Sequence, residues 1–376
     1  MPTVRSVARH RTRAPLWARL MVILGVVLMA FSAATLLSGR YLLIRYAKSL
    51  HLENLLGDAR ARGSSIDGPV NVLLVGLDER PGENADGVRA DSVVIVHLPA
   101  GHQQAYLVPV PRDTLATIPA FPKSGYPGGR DKVNAAFEYG SQGGGGRAGG
   151  FALLAMTVRQ LTGVSFNGAA IVNFGGFQSL VTALGGVDLC VDETVVSIHV
   201  GTDASGRFHP PYQMTDDGPV PIPGTTPQVY RPGCQHMRAW QALDYVRQRE
   251  LLPDGDYGRQ RHQLQFLRAV LTQASRSRVL SDPVRLDAVL RAAGPALTFD
   301  GGGAPIGSWL FTFRNIRADR SVLLKTNGGA FNTAELDGQQ VELLTDLSLT
   351  LFQQLRRDAL DEFVAAHRDW VVSPFS

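Results

Sequence analysis

Only two cysteines stand in 376 residues, and neither belongs to a Cys-x-x-Cys pair. A thiolate zinc site and a thioredoxin-like redox centre are therefore excluded. The nine histidines form no His-x-x-x-His pair, which removes the helical zinc-hydrolase pattern. Gly-x-Ser-x-Gly is absent, and no Gly-Lys-Ser/Thr closes a glycine loop, so neither a nucleophile elbow nor a P-loop is present. Acidic residues are missing from residues 1–45, which hold Arg5, Arg9, Arg11, Arg13, Arg19, Arg40 and Arg45. Removing these seven from the 37 basic residues leaves 30 against 33 acidic ones, so the net charge of +4 belongs to the N-terminus. The main body lacks the basic footprint of a nucleic-acid binder, and no nucleic-acid partner is expected.

What is present begins with twenty uncharged residues, Leu20 to Gly39, long enough to cross a bilayer as a helix. The apolar region of a cleaved signal is usually about 7–15 residues, so the length favours a retained anchor. Its arginine-rich flank should remain cytoplasmic. The expected organisation is a cytoplasmic tail (1–19), a transmembrane helix (20–39), a juxtamembrane linker (40–68), a main domain (69–275) and a C-terminal supporting region (276–376). The bulk of the chain would then lie outside the cell membrane. In an oxidising compartment Cys190 and Cys234 would pair across 44 residues, adding ~3–4 kcal/mol. In a reducing one they would be two buried thiols.

Three apolar runs, Asn71–Leu77, Ser92–Leu98 and Ala105–Val110, read as strands. Their ends carry Asp78 and Arg80, Arg89 and Asp91, and Arg112 and Asp113. Side chains two apart on a strand point the same way, so each of the first two pairs shares a face. Brought together, such carboxylates can hold a hard divalent cation, and such arginines can grip phosphate. Taken singly, each pair reads as a surface ion pair.

Further along, residues 116–130 read as loop, Lys132–Tyr139 as a helix capped by Asp131, and Gly143–Gly150 as a flexible linker. Phe174, Phe177, Leu180, Val181 and Leu184 recur at helical spacing. Residues 197–233, rich in proline, read as an irregular insertion. A second charged cluster, Arg247-Gln248-Arg249-Glu250, precedes a helix that opens with Arg259 and Gln263 four apart on one face. Residues 339–355 read as a helix. Short strands alternating with helices argue an α/β class.

In order, Asn71-Val72-Leu73-Leu74-Val75-Gly76-Leu77-Asp78, Arg89-Ala90-Asp91-Ser92, Pro111-Arg112-Asp113, Lys132-Val133-Asn134-Ala135-Ala136, Gly185-Gly186-Val187-Asp188, Tyr245-Val246-Arg247-Gln248-Arg249 and Asp256-Tyr257-Gly258-Arg259 resemble the successive motifs of the LytR-CpsA-Psr family. The cysteine pair resembles the actinobacterial branch. The resemblance implies a three-layer α/β/α domain with a central mixed sheet behind one transmembrane helix. It implies a phosphotransferase that moves a glycopolymer from a polyprenyl-pyrophosphate carrier to peptidoglycan. It places Mg2+ on Asp78 and Asp91, gives the catalytic roles to Asp91, Arg89 and Arg112, and substrate contacts to Arg80, Lys132, Arg247, Arg249, Arg259 and Gln263. It also gives the Phe174–Leu184 stripe a second reading, as the wall of a tunnel for the prenyl tail.

The chain departs from the family pattern at Ala90 and Ser92, at Glu79, and at His262, where a second arginine is usual. Two other readings share the same residues: a polyprenyl-pyrophosphate hydrolase, and a non-catalytic lipid- or glycopolymer-binding protein or transcriptional regulator. A 19-residue tail is too short for a DNA-binding domain.

Overall fold

The computed structural model describes residues 51–372, except residues 64, 78–86, 278, 280, 281, 295, 296, 315 and 317. The chain divides into residues 1–45 and 46–376, and the second unit is the one described. The expected tail and membrane span lie outside the described residues, as do Asp78, Glu79 and Arg80. Among the described residues no helix is long and apolar enough to cross a membrane.

In chain order the first strands are β1 (His51–Leu52), β2 (Val70–Leu77), β3 (Ala90–Leu98) and β4 (Tyr106–Pro109). A small hairpin, β5 (Leu115–Ile118) and β6 (Gly129–Lys132), leads to helices α1 (Ala135–Ser141) and α2 (Gly146–Thr162), then β7 (Gly168–Asn173) and α3 (Phe174–Ala183). Next come β8 (Val187–Val191), β9 (Val195–Asp203), β10 (Tyr212–Thr215), β11 (Gly218–Pro221), β12 (Thr225–Tyr230) and β13 (Gly233–Met237). Helices α4 (Ala239–Arg247), α5 (Gly255–Arg276) and α6 (Pro283–Ala293) are followed by β14 (Leu297–Asp300), α7 (Ile306–Phe313) and β15 (Val322–Leu323). The chain closes with β16 (Thr333–Leu336), β17 (Gln339–Glu342), α8 (Asp346–Arg356) and α9 (Leu360–Ala366).

Seven strands make one mixed sheet in the order β1-β14-β7-β2-β3-β4-β15. Strand alternation splits its side chains between two cores. Leu73, Val75 and Leu77 meet Phe137, Phe151, Leu154 and Phe352 on one face, while Val70 and Val72 meet Leu264 and Trp309 on the other. Helices thus cover both faces, as the three-layer expectation requires. Both faces of β2 being buried explains why its sequence reads as a near-continuous apolar run. Truncating Leu73, which is fully buried, would cost about 2–5 kcal/mol. Because β3 runs antiparallel to β2 and β4, the ends bearing residues 77, 90 and 110 fall on one edge of the sheet.

Several expectations are corrected. The sheet draws β1 from the expected linker and β14 and β15 from the expected supporting region, so neither residue 68 nor residue 275 bounds it. Residues 116–130 contain strand residues of β5 and β6 at their two ends. The glycine run is a tight helix crossing, with Gly149 and Gly150 buried in α2. A Cβ on Gly140 would sit 2.5 Å from the Gly149 carbonyl oxygen, and one on Gly150 would sit 2.7 Å from that of Phe137. Asp131 caps nothing; it accepts the Tyr139 hydroxyl, and α1 starts at Ala135 without a side-chain cap. The proline-rich insertion is largely stranded, β9 pairing with β12 and β10 with β11. Residues 339–342 are strand, and only 346–356 of that stretch form a helix.

A third core gathers Val181, Leu189, Val195, Tyr230, Tyr245 and Phe266 beneath the insertion. Here the helical stripe of α3 finds its partners: Val181 is fully buried, and Phe177 stacks on Phe266 with ring centroids 4.0 Å apart. Cys190 and Cys234 lie directly opposite each other on β8 and β13 and form a disulfide.

Candidate active site

The strand-end edge carries Asp91 at the start of β3 and Arg112 and Asp113 just past β4. The first turn of α5 adds Asp256 and Arg259, three apart on one helix face. Arg112 is the hub. Its Nη1 donates to Asp91 Oδ1 at 2.6 Å, and its Nε lies 3.5 Å from both Asp113 Oδ2 and Asp256 Oδ1. Lys132, at the end of β6, reaches Asp113 Oδ1 at 3.1 Å. Arg259 stands 2.6 Å from Asp256 Oδ1, and its Nη2 donates to the Asp91 carbonyl oxygen at 3.3 Å.

Electrostatics separate the two central arginines. Burial opposes the charge on Arg112, but Asp256, Asp113 and Asp91 together outweigh it and raise its pKa. Arg259 is lowered, first by burial and further by the like charges of Arg112 and Arg249, with Asp256 and Asp91 opposing. Its side chain is only 8% exposed. The Nε groups of Arg112 and Arg259 and Asp256 Oδ1 are buried without a hydrogen-bond partner of suitable geometry. The Arg259–Asp256 contact at 2.6 Å and the Arg112 Nε contacts at 3.5 Å are thus ionic and poorly aligned. Two guanidiniums held in one cluster at a strand-end edge are the arrangement that an anion with several oxygens can engage.

The other expected residues divide. Arg89 is half exposed and donates to Glu138 Oε2 on α1 at 2.7 Å, a bond that raises its pKa. Arg249 donates to Glu250 Oε1 at 2.7 Å while remaining within electrostatic reach of Arg259. Arg247 acts on the third core, where its charge bears on Asp244 and His199. Gln263 is partly buried on α5, one turn beyond Arg259.

His262 is fully buried and stacks on Tyr245 at 4.2 Å. Burial, with Arg261 adding to it, pushes its pKa down to about 3, so it is neutral and offers phosphate no charge. Arg261 is taken up by Asp192 at 2.8 Å and by Glu193 and Asp254. His236 is a strand residue, bonded to Asp188 at 2.9 Å and to the Gly185 carbonyl.

Asp256 was not singled out from the sequence; its three-residue spacing to Arg259 was the signal that could have marked it, and its place beside Arg112 had none. Glu342 was not legible at all, since it arrives from β17 with its N–H bonded to the Asp113 carbonyl at 2.9 Å. Burial raises its pKa, and its Oε2 accepts from the Asn332 N–H at 2.9 Å and the Tyr257 hydroxyl at 3.3 Å.

Among the described residues no group of three or more His, Cys, Asp or Glu could hold a metal ion. Asp91 Oδ2 nevertheless carries no hydrogen bond among the described residues, and a carboxylate oxygen suits a hard cation. Magnesium commonly takes one or two carboxylates and completes its shell with phosphate oxygens and water, so this sparse donor set fits it.

Residues 46–327 match the LytR_cpsA_psr family. The chain is 30% identical over 207 residues to polyisoprenyl-teichoic acid–peptidoglycan teichoic acid transferase TagU of Bacillus cereus (strain AH820), covering 55% of this chain and 53% of that protein. It is 28% identical over 227 residues to the probable cell wall biosynthesis protein LcpB of Corynebacterium glutamicum, covering 57% and 44%. It thus spans about half the length of the curated relatives it matches. Protein gbs0355 from Streptococcus agalactiae shares the fold, with a TM-score of 0.57 at 23% identity over 80% of this chain and 92% of that one. TagT bound to LI-WTA does so with a TM-score of 0.51 at 22% identity, over 80% and 98%. The family match covers well over half the sequence and includes every strand of the central sheet: the chain belongs to the LytR_cpsA_psr family.

Proposed function

We propose that the protein is a phosphotransferase that takes a glycosyl phosphate from a polyprenyl-pyrophosphate carrier and attaches it to peptidoglycan. The observation that carries this reading is the Arg112–Arg259 pair, two largely buried guanidiniums with unspent Nε donors beside Asp91 and Asp256. The names of TagU, a transferase of teichoic acid from a polyisoprenyl carrier to peptidoglycan, and of TagT bound to LI-WTA support the substrate class. The apolar stretch 20–39 and the arginines before it support a single-pass anchor with the catalytic domain outside the membrane. The disulfide, on partly exposed strands, supports an oxidising compartment.

In this reading Arg112 and Arg259 hold the pyrophosphate, and Lys132 and Arg249 add charge at its margins. A sugar hydroxyl of the acceptor attacks the sugar-side phosphorus. The bond from that phosphorus to the bridging oxygen breaks, polyprenyl phosphate leaves, and the hydroxyl proton passes to a carboxylate of the cluster. Mg2+ on Asp91 and Asp78 would supply further neutralisation of phosphate charge. The arginines' contribution is positional and electrostatic, because the transferred group passes through a charged, loosely bonded state.

The test uses the full chain in detergent with a prenyl-pyrophosphate-linked sugar and Mg2+. Wild type releases prenyl phosphate, chelation stops it, and Arg112→Ala lowers kcat by about 10²–10³-fold, the usual cost of one transition-state donor. No release by wild type, or equal release by Arg112→Ala, rejects the assignment.

A further inference from the structure

A cavity of about 160 Å3 opens beside the hub. One wall is the hub itself, through Asp113, Lys132 and Asp256; the other is the β16–β17 hairpin with Phe331 before it. The hairpin lies beyond residue 327, where the family match ends. It is tied down all the same. Thr114 bridges to Glu342 in parallel, extending the bond from the Glu342 N–H to the Asp113 carbonyl. Asn327 Nδ2 donates to the Tyr257 hydroxyl at 3.0 Å, which fixes the cavity's inner end.

Three features describe the occupant. The lining carries the carboxylates Asp113, Asp256 and Glu342 against a single lysine, so a phosphate or other anion is disfavoured here. Gln260 is 9% exposed and lines the cavity; its Nε2 donates to Asp256 Oδ2 at 3.2 Å, but its Oε1 is buried without a donor. That oxygen is closed to solvent, so the acceptors within reach of an occupant's O–H or N–H groups are the lining carboxylates, of which Asp113 is 29% exposed. Phe331 is 53% exposed beside the opening, its ring standing edge-on to Tyr257 at 5.0 Å. An exposed aromatic face next to polar groups suits a ligand with one apolar face and a polar rim. A sugar ring has that construction.

We propose that this cavity is the acceptor subsite, receiving one uncharged hexose ring bearing hydroxyl or acetamido donors. The ring's C–H face lies on Phe331, its hydroxyl or amide donors meet the carboxylates of Asp113 and Glu342, and the rim reaches Thr333. This rests on the phosphotransferase reading and deepens it. The donor pyrophosphate and the acceptor sugar would approach Asp256 from opposite sides, one facing the arginines and the other facing the hairpin. Acceptor choice is then set by residues 331–342.

The experiment has two arms, both with the full chain in lipid nanodiscs. In the first, the disaccharide of N-acetylglucosamine is titrated and binding read by saturation-transfer NMR. Wild type binds, and Thr333→Trp, which fills the cavity from an exposed position, weakens binding at least tenfold. Gln339→Ala, on the opposite face of the same hairpin, binds as wild type does and controls for folding. In the second arm, a prenyl-pyrophosphate donor is supplied with the disaccharide, and the ratio of transfer to hydrolysis is read. Thr333→Trp lowers that ratio at least tenfold, because water replaces the excluded sugar. Absence of binding by wild type, or unchanged binding or partition in Thr333→Trp, overturns the acceptor subsite. A wild type that binds the disaccharide but never cleaves the donor leaves the subsite standing and rejects the phosphotransferase reading instead.

Discussion

Arg259 combines a buried position, a like-charged neighbour in Arg112, and an orphaned Nε. A lysine there would keep the charge and lose the planar fork. Arg259→Lys should lower kcat/KM for the prenyl-pyrophosphate donor by about tenfold, and Arg259→Ala by about 10²–10³-fold. Equal activity of the three forms in a prenyl phosphate release assay would remove Arg259 from the site. His262 makes a different prediction, about stability. Its folded pKa, about 3, lies below the ordinary 6.5, so the unfolded chain takes up the proton first. Stability is full above that ordinary value and falls on acidification by up to about 1.4 kcal/mol per pH unit. Nearby Glu193, raised by burial, pulls the other way on acidification, so the comparison with His262→Gln isolates the histidine. Melting temperature should therefore decline from pH 7 to about 5.5, and less steeply in His262→Gln. Parallel slopes for the two proteins would contradict it.

The α1–α2 crossing and the β8–β13 pair test the fold element by element. With backbone oxygen 2.5 Å from a Cβ on Gly140, Gly140→Ala must push the helices apart and should cost about 1–3 kcal/mol in denaturant unfolding. A null effect would mean that the helices do not cross so closely. Opening the Cys190–Cys234 bridge should cost ~3–4 kcal/mol while leaving Arg112 and Arg259 in place, so donor cleavage at low temperature survives reduction. How much was legible follows from the same elements. The ends of β2, β3 and β4 could be read because unbroken apolar runs point at charges, and the topology then puts those charges on one edge. The insertion could not, because prolines that suggest breaks are housed in two-stranded ribbons: Pro219 and Pro221 in β11, and Pro227 where the β12–β9 register shifts. The glycine run misled for a related reason, since it gives close approach as readily as freedom. Arg89 and Glu138, or Asp113 and Glu342, meet only through tertiary packing, and no local spacing signals either pair.

At the scale of the whole molecule, the seven motifs end well before the sheet does. β14 lies between β1 and β7, and β15 lies outside β4, so both flanks of the sheet are completed from residues 297–323. A chain ending at residue 275 would keep every motif and leave the edges of β7 and β4 unpaired. In detergent it should aggregate where the full chain stays dispersed; a monodisperse 1–275 fragment by light scattering in the same detergent would show the later strands to be dispensable.

The same arrangement has a consequence for biosynthesis. At ribosomal rates of about 5–20 residues per second, β4 emerges on the order of tens of seconds before the strands that will flank the sheet. For that interval the outer edge of β4, and that of β2 until β7 arrives and covers it, stand open, and the outer edge of β7 then waits for β14. Long-range pairing of this kind is slow and exposed to mispairing. The period of greatest exposure is bounded by the emergence of residue 109 and of residue 323.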